Sequence, residues 1–304
     1  MQKNTVLSLS LLLLLGFIWG TGYSIARFAM INGVHPLGYS FWQSLGPAIL
    51  LCLMQCRNPG LLIFKGNYIK YYLICSLTGI VIPNTIMYFA AAHLPAGLLA
   101  VIVNIVPIIC YPLALWQGQE RFNWGRLIGI GLALLGLMLV ILPKSSLPQI
   151  SMLPWAILVL VTPISFACCS IYIGRAQPKD SNSLALSAGT LLFSSFILAP
   201  LVYFTHSFYA LHLPLTLPDQ VILLEIALSS LGYVLFFQLI KIAGAVYYSM
   251  VDTIVSLTGL LWGFLIFDER LNMLTGIAVS LIILGLLLVT KRQKNSHNTH
   301  ESFS

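Results

Sequence analysis

One carboxylate, Asp252, stands alone as the charged residue within an apolar run spanning 245–267. A carboxylate at mid-membrane depth costs about 2.5–3.5 kcal/mol on insertion scales, which several leucines must offset, so its presence points to chemistry. At helical spacing Ala245, Tyr248, Ser249, Asp252, Ser256, Gly259 and Gly263 share one face, while Val251, Ile254, Leu257 and Phe264 occupy the other. Such a face suits binding of a cation, either a coupling proton or a substrate amine. The alternative is a protonated acid in an interhelical hydrogen bond. A second carboxylate, Glu225, lies only a turn or so inward of Asp219 and is a candidate for an entrance or proton-relay role.

The uncharged candidates cluster around helix breakers. Pro83 lacks an N–H and frees carbonyls in the preceding turn, and Gly232 weakens its own helix. Asn84, Tyr88 and Tyr233 lie beside these two expected breaks. Asn104 joins Ala96, Ala100, Pro107 and Tyr111 on another small and polar stripe, with Pro107 a third expected break. Trp19 and Tyr23, with Trp42 and Gln43, are candidate aromatic and polar lining, although aromatic belts at membrane interfaces use the same residues. No catalytic residue is expected: Gly-x-Ser-x-Gly and His-Glu-x-x-His are both absent.

The elements that must hold these residues follow from composition. Hydrophobic residues make up 59% of the 304, charged residues 8%, and mean hydropathy is +0.94, which excludes an ordinary soluble domain with about a quarter of its residues charged. Each crossing needs about 20 apolar residues, and the chain accommodates about ten, near 6–28, 37–55, 71–92, 96–117, 124–142, 153–174, 183–204, 220–241, 245–266 and 272–290. The runs are too long and uniformly apolar for barrel strands, so the fold class expected is all-α. Lys3 and the apolar run after it resemble a signal peptide, but no small-x-small cleavage site follows, and the run is read as the first span.

The chain contains an internal repeat. Gly118-Gln119-Glu120-Arg121-Phe122-Asn123 and Phe267-Asp268-Glu269-Arg270-Leu271-Asn272 correspond at an offset of 149 residues, which holds without a gap from roughly 82–141 onto 231–290. The domains expected are a five-helix unit over 1–142, a second over 150–291, and a disordered cytoplasmic tail over 292–304. With both termini cytoplasmic, only Arg27, Lys144 and Arg270 of the 15 lysines and arginines fall outside, as the positive-inside bias requires. Five spans per unit is an odd number, so the second unit enters from the opposite face. Inverted repeats let a central site open alternately to either side. Across the offset Asp252 meets Val103, so the copies share a scaffold but not that acid.

Other classes fit less well. The +7 charge is a topology signal rather than a nucleic-acid-binding patch. The six cysteines suggest neither a disulfide framework nor a metal site, and neither metal nor cofactor is expected. An intramembrane enzyme acting on lipid or peptide is the competing reading, but it has no need of two inverted copies. The partners expected are a small-molecule substrate and the lipid bilayer, with the chain a monomer or homodimer in a prokaryotic inner membrane.

At family level, Gly16-Phe17-Ile18-Trp19-Gly20-Thr21-Gly22-Tyr23-Ser24-Ile25-Ala26 resembles the first helix of the EamA branch of the drug/metabolite transporter superfamily. His93-Leu94-Pro95-Ala96-Gly97 through Pro107, the Gly118-Gln119-Glu120-Arg121 turn and Gly129 to Gly136 resemble its third-to-fifth helix signature, and the stretch from Ala245 to Gly285 resembles it again. The resemblance implies a ten-helix carrier of small metabolites, amino-acid-like or amphipathic. One departure is that His35-Pro36 leads to Gln43 where the family often carries an arginine.

Overall fold

The computed structural model describes residues 2–56, 66–91, 93, 103, 105–141, 153–178 and 181–267, with positions 277, 280, 281, 283–285, 288 and 289 of the last apolar run. The fold is all-helical, with no strand among the described residues. In chain order the helices are α1 (Gln2–Ile31), α2 (Pro36–Cys56), α3 (Gly66–Ser76), a π-helical turn (Leu77–Val81), α4 (Ile82–Ala91), α5 (Val106–Trp116), α6 (Trp124–Ile141), α7 (Leu153–Val159), α8 (Val161–Ala176), α9 (Ser183–Phe204), α10 (Leu217–Ala243), α11 (Ala245–Tyr248) and α12 (Val251–Phe267). Among the described residues, six continuous stretches are long and apolar enough to cross a bilayer: 6–30, 36–55, 66–90, 157–176, 183–204 and 217–243. This is a multi-pass membrane protein. The 292–304 tail lies outside the described residues.

Local chemistry sets the helix ends. Asn182 starts α9 by accepting from the Leu184 N–H at 3.1 Å. Thr216 and Asp219 form a reciprocal capping box on α10, which satisfies N–H groups that a first helical turn leaves open. Gly244 ends α10 at φ +84, a backbone conformation available to glycine at little cost, and the chain turns at once into α11. Ser249 and Met250 then interrupt the helix before α12 begins.

At Pro83 the span stays helical but changes its hydrogen bonding. The Ile82 N–H reaches back to the Leu77 carbonyl, a π-type bond, because the proline ring has no N–H to continue the regular ladder and clashes with the turn before it. Ser165 of α8 donates to the exposed Thr78 carbonyl at 2.7 Å, and Thr162 donates to that of Pro83 at 3.3 Å. A neighbouring helix thus supplies donors that water cannot supply in lipid.

The other two expected breaks fall differently. α10 runs continuously through Gly232, so the expected interruption is absent there; an added Cβ would lie 2.7 Å from Trp19 Nε1, and the glycine serves close approach of the indole. Pro107 lies in the first turn of α5, where its missing N–H costs no intrahelical bond.

Packing is dominated by contacts between the two halves of the chain. α1 lies against α10 and α12, α2 against α9 and α10, and α8 against α4, α5 and the π-turn. Two apolar clusters result: a large one containing Tyr71, Tyr72, Cys110, Phe237 and Tyr247, and a smaller one containing Ile25, Tyr39, Met87, Tyr88 and Ile226. Near the chain end Gly129 and Gly285 meet backbone to backbone, with Val289 beside them, the small-residue close approach common between membrane helices.

Candidate functional site

A cavity of ≈ 40 Å³ lies where the two clusters meet, space enough for ordered water. Its wall draws on both halves of the chain. Trp19 and Gly22 come from α1, Gln43 from α2, Gly79 from the π-turn, and Asn84 and Tyr88 from α4; Phe166, Cys169 and Ser170 come from α8, Glu225, Tyr233 and Phe236 from α10, and Tyr248 from α11.

The polar members form one network. Gln43 Nε2 donates to Glu225 Oε1 at 3.0 Å, and Ser229 Oγ, one turn along α10, donates to the same oxygen at 2.7 Å. The other end of the Gln43 amide accepts from the Tyr88 hydroxyl at 2.7 Å and from Asn84 Nδ2 at 3.2 Å. Asn84 Nδ2 also approaches the Tyr233 hydroxyl at 3.5 Å. Glu225 is only 3% exposed, and its second oxygen, Oε2, is buried without a hydrogen-bond partner. The buried Tyr39 hydroxyl likewise lacks a partner at full hydrogen-bond geometry, but it faces this carboxylate and is positioned to donate to it. Gly22 presents bare backbone to this carboxylate, since a Cβ there would lie 3.1 Å from Oε2.

Aromatic rings form the rest of the wall. Trp19 lies 6.1 Å from Tyr233, 5.7 Å from Phe236 and 6.0 Å from Tyr248, and Phe236 lies 4.8 Å from Tyr248. No lysine or arginine is among the described residues that line the cavity. The chemistry offered is therefore one buried carboxylate, a polarised amide, hydroxyl groups and π-faces.

Of the residues that sequence spacing singled out, the cavity brings together Trp19, Gln43, Asn84, Tyr88, Glu225, Tyr233 and Tyr248. Asp252 is not in its wall. That carboxylate is buried in the first turn of α12, 5% exposed and close enough to Cys110 of α5 to interact electrostatically. Ser256 Oγ donates to the Asp252 carbonyl at 3.0 Å. The Tyr23 side chain, Asn104 and the 268–272 turn lie outside what is described. Six wall residues had not been singled out: Gly22, Gly79, Phe166, Cys169, Ser170 and Phe236. The repeat carries a signal for two of them, because Phe166 and Cys169 stand 147 residues after Trp19 and Gly22, the spacing that also separates the starts of α2 and α9.

The first repeated turn is occupied structurally. Glu120 pairs with Arg126 of α6. Gln119 Nε2 donates to the Ile171 carbonyl of α8 at 2.9 Å. Asn123 caps α6 through the Gly125 N–H at 2.9 Å, while its own N–H donates to the Tyr111 hydroxyl at 2.7 Å.

The chain is similar to several known proteins along nearly all of its length. An uncharacterized transporter of Archaeoglobus fulgidus is 21% identical over 298 residues, covering 96% of this chain and 100% of that protein. An uncharacterized transporter of Haemophilus influenzae is 22% identical over 293 residues, covering 91% and 94%. A solved structure titled only as the crystal structure of a protein shares the fold, with a TM-score of 0.72 at 14% identity over 97% of this chain and 99% of that one. The EamA-like transporter family matches twice, at residues 6–142 and 153–291. With both matches together spanning most of the sequence, this membrane protein belongs to the EamA-like transporter family.

Proposed function

We propose that the protein is a secondary transporter that moves a small amino-acid-like or amphipathic solute across the inner membrane by alternating access. In this reading it has ten spans, arranged as inverted five-helix units over 1–142 and 150–291, with both termini cytoplasmic. The observation that carries it is the buried polar network at the meeting point of the two halves, around a cavity near the middle of several spans. Substrate sites of repeat-built carriers lie at such interfaces.

The repeat supports the same reading through its contacts. Asn84 and Tyr233, which meet directly, are 149 residues apart, the offset of the repeated turns. The Ser76 hydroxyl donates to the Thr190 carbonyl at 2.7 Å, and this joins the positions equivalent to Glu225 and Gln43, which themselves bond. Helix packing follows the same exchange: α1 on α10 matches α8 on α4, α1 on α12 matches α8 on α5, and α2 on α10 matches α9 on α3.

Coupling to protons has two candidate carboxylates. Glu225 faces Tyr39 and Tyr233, and Asp252 faces Cys110. Purified protein in liposomes, loaded with unlabelled solute and given labelled solute outside, tests the carrier function. Counterflow across a panel of amino acids, amines and nucleosides is the expected result; its absence for every solute, with no thermal stabilisation by any of them, would reopen the enzymatic reading. Asp252→Asn, assayed with and without a pH gradient, tests coupling at that residue, and unchanged rate and pH dependence would remove it from the mechanism.

A further inference from the structure

We propose that the cavity, whose ≈ 40 Å³ takes the head group alone, recognises the primary or secondary ammonium group of a small cationic amine, with Glu225 Oε2 as its ion-pair partner and the rings of Trp19, Tyr233, Phe236 and Tyr248 parting to admit its apolar body. The inference rests on the carrier reading above and narrows its substrate class.

Three observations carry it. The first is the division of labour on Glu225. Oε1 accepts from Gln43 and Ser229, which fixes the carboxylate, whereas Oε2 has only the Tyr39 hydroxyl facing it, short of full hydrogen-bond geometry. A buried carboxylate oxygen with one hydroxyl beside it keeps acceptor capacity to spare, and a ligand N–H answers it directly. Quaternary ammonium groups have no N–H to give, so a primary or secondary amine suits the geometry better.

Second, the wall has a sign. Glu225 is the charged residue among the described lining, with no lysine or arginine beside it. The carboxylate of a zwitterion brought there would add a second negative charge without a counterion. Amino acids are disfavoured for that reason, and organic anions more so.

Third, the apolar side of the cavity is aromatic. Ring centroids of the Trp19, Tyr233, Phe236 and Tyr248 cluster lie 4.8 to 6.4 Å apart along its contacts, and such rings suit the apolar body of an amine. Bare backbone at Gly22 keeps Oε2 approachable. An alanine there would bring a methyl group to 3.1 Å of that oxygen, which makes the position a second handle on the same atom.

The test uses three molecules sharing one ring and differing in charge: phenethylamine, phenylalanine and phenylacetate. Each is applied to the full-length protein in detergent, read as a shift in Tm, and to proteoliposomes, read as counterflow. Phenethylamine is expected to stabilise and exchange, phenylalanine to act at least tenfold more weakly, and phenylacetate not at all. Glu225→Gln and Gly22→Ala are each expected to weaken the phenethylamine response tenfold or more while retaining a cooperative melt. Phenylalanine matching phenethylamine, or both variants responding as the parent does, overturns the amine assignment. Flux of neutral solutes or zwitterions with none for phenethylamine overturns it too, yet leaves the carrier reading intact. Absence of flux for every solute in the wider panel removes both.

Discussion

At equivalent positions of the two repeats the protein uses different physics. In the first, Pro83 follows a π-turn whose Thr78 carbonyl is taken up by Ser165, while Thr162 donates to the carbonyl of Pro83 itself. In the second, Gly232 leaves α10 unbroken and lets the Trp19 indole rest on its backbone. One helix carries a π-turn and the other runs on as regular α-helix. Seven residues before these sites the contrast repeats in side chains: Ser76 closes a neutral bond to a backbone carbonyl, whereas Glu225 brings a buried charge to the cavity. The duplication thus supplies a common frame, and divergence within it puts the charge on one side and the π-turn on the other.

Substitutions at paired positions can break or sharpen this contrast. The largest effect is expected for Glu225→Gln, which removes the charge from the network; truncating one member of a buried charged hydrogen-bonded pair costs about 2–5 kcal/mol, so counterflow should fall at least about thirtyfold. If instead flux survives, the two copies are chemically alike and the contrast loses its functional meaning. Gly232→Ala follows. Its methyl group collides with Trp19 Nε1 at 2.7 Å, and overpacking of this kind costs about 1–3 kcal/mol, so a lowered Tm together with roughly tenfold slower exchange is expected.

Pro83→Ala restores an N–H to the first repeat and makes it more like the second. Amide hydrogen exchange around residues 78–83 should slow, and exchange of solute should slow by roughly severalfold if that turn moves during transport. Unchanged exchange rates at those amides would show that the neighbouring helix, not the proline, holds the π-turn open. Ser76→Ala gives the smallest effect. Loss of its bond to Thr190 should cost about 1 kcal/mol of stability, read as a Tm decrease, with transport within about twofold of the parent.

Much of this was legible in the amino-acid sequence, for reasons that differ residue by residue. Proline acts through its own covalent structure, so the altered hydrogen bonding at Pro83 is readable without knowing its neighbours. Glycine is ambiguous: the same absent side chain permits a bend or a close approach, and only the folded position of Trp19, far away in the chain, decides for Gly232. Asp252 shows the same limit. Helical spacing puts it on the face of Tyr248, but the interruption at Ser249 and Met250 resets the phase, and Tyr248 lines the cavity while Asp252 turns toward Cys110. Glu225 stands out in the sequence as a carboxylate just inside an apolar run, and what only the fold supplies is its burial against Gln43 and Ser229. Phe166 and Cys169 were missed because their types carry no chemical signature; they matter as the counterparts of Trp19 and Gly22.

The contact between Asn84 and Tyr233 has one more consequence. In the proposed inverted layout, points related by the two-fold operation can touch only beside its axis, and this pair, 149 residues apart, would mark where that axis passes. On the proposed exchange of shapes between the halves, other distances swap partners, but a separation measured across the axis maps onto itself. The pair is therefore a fulcrum, and a distance probe spanning it should read the same value in both end states while probes elsewhere trade theirs.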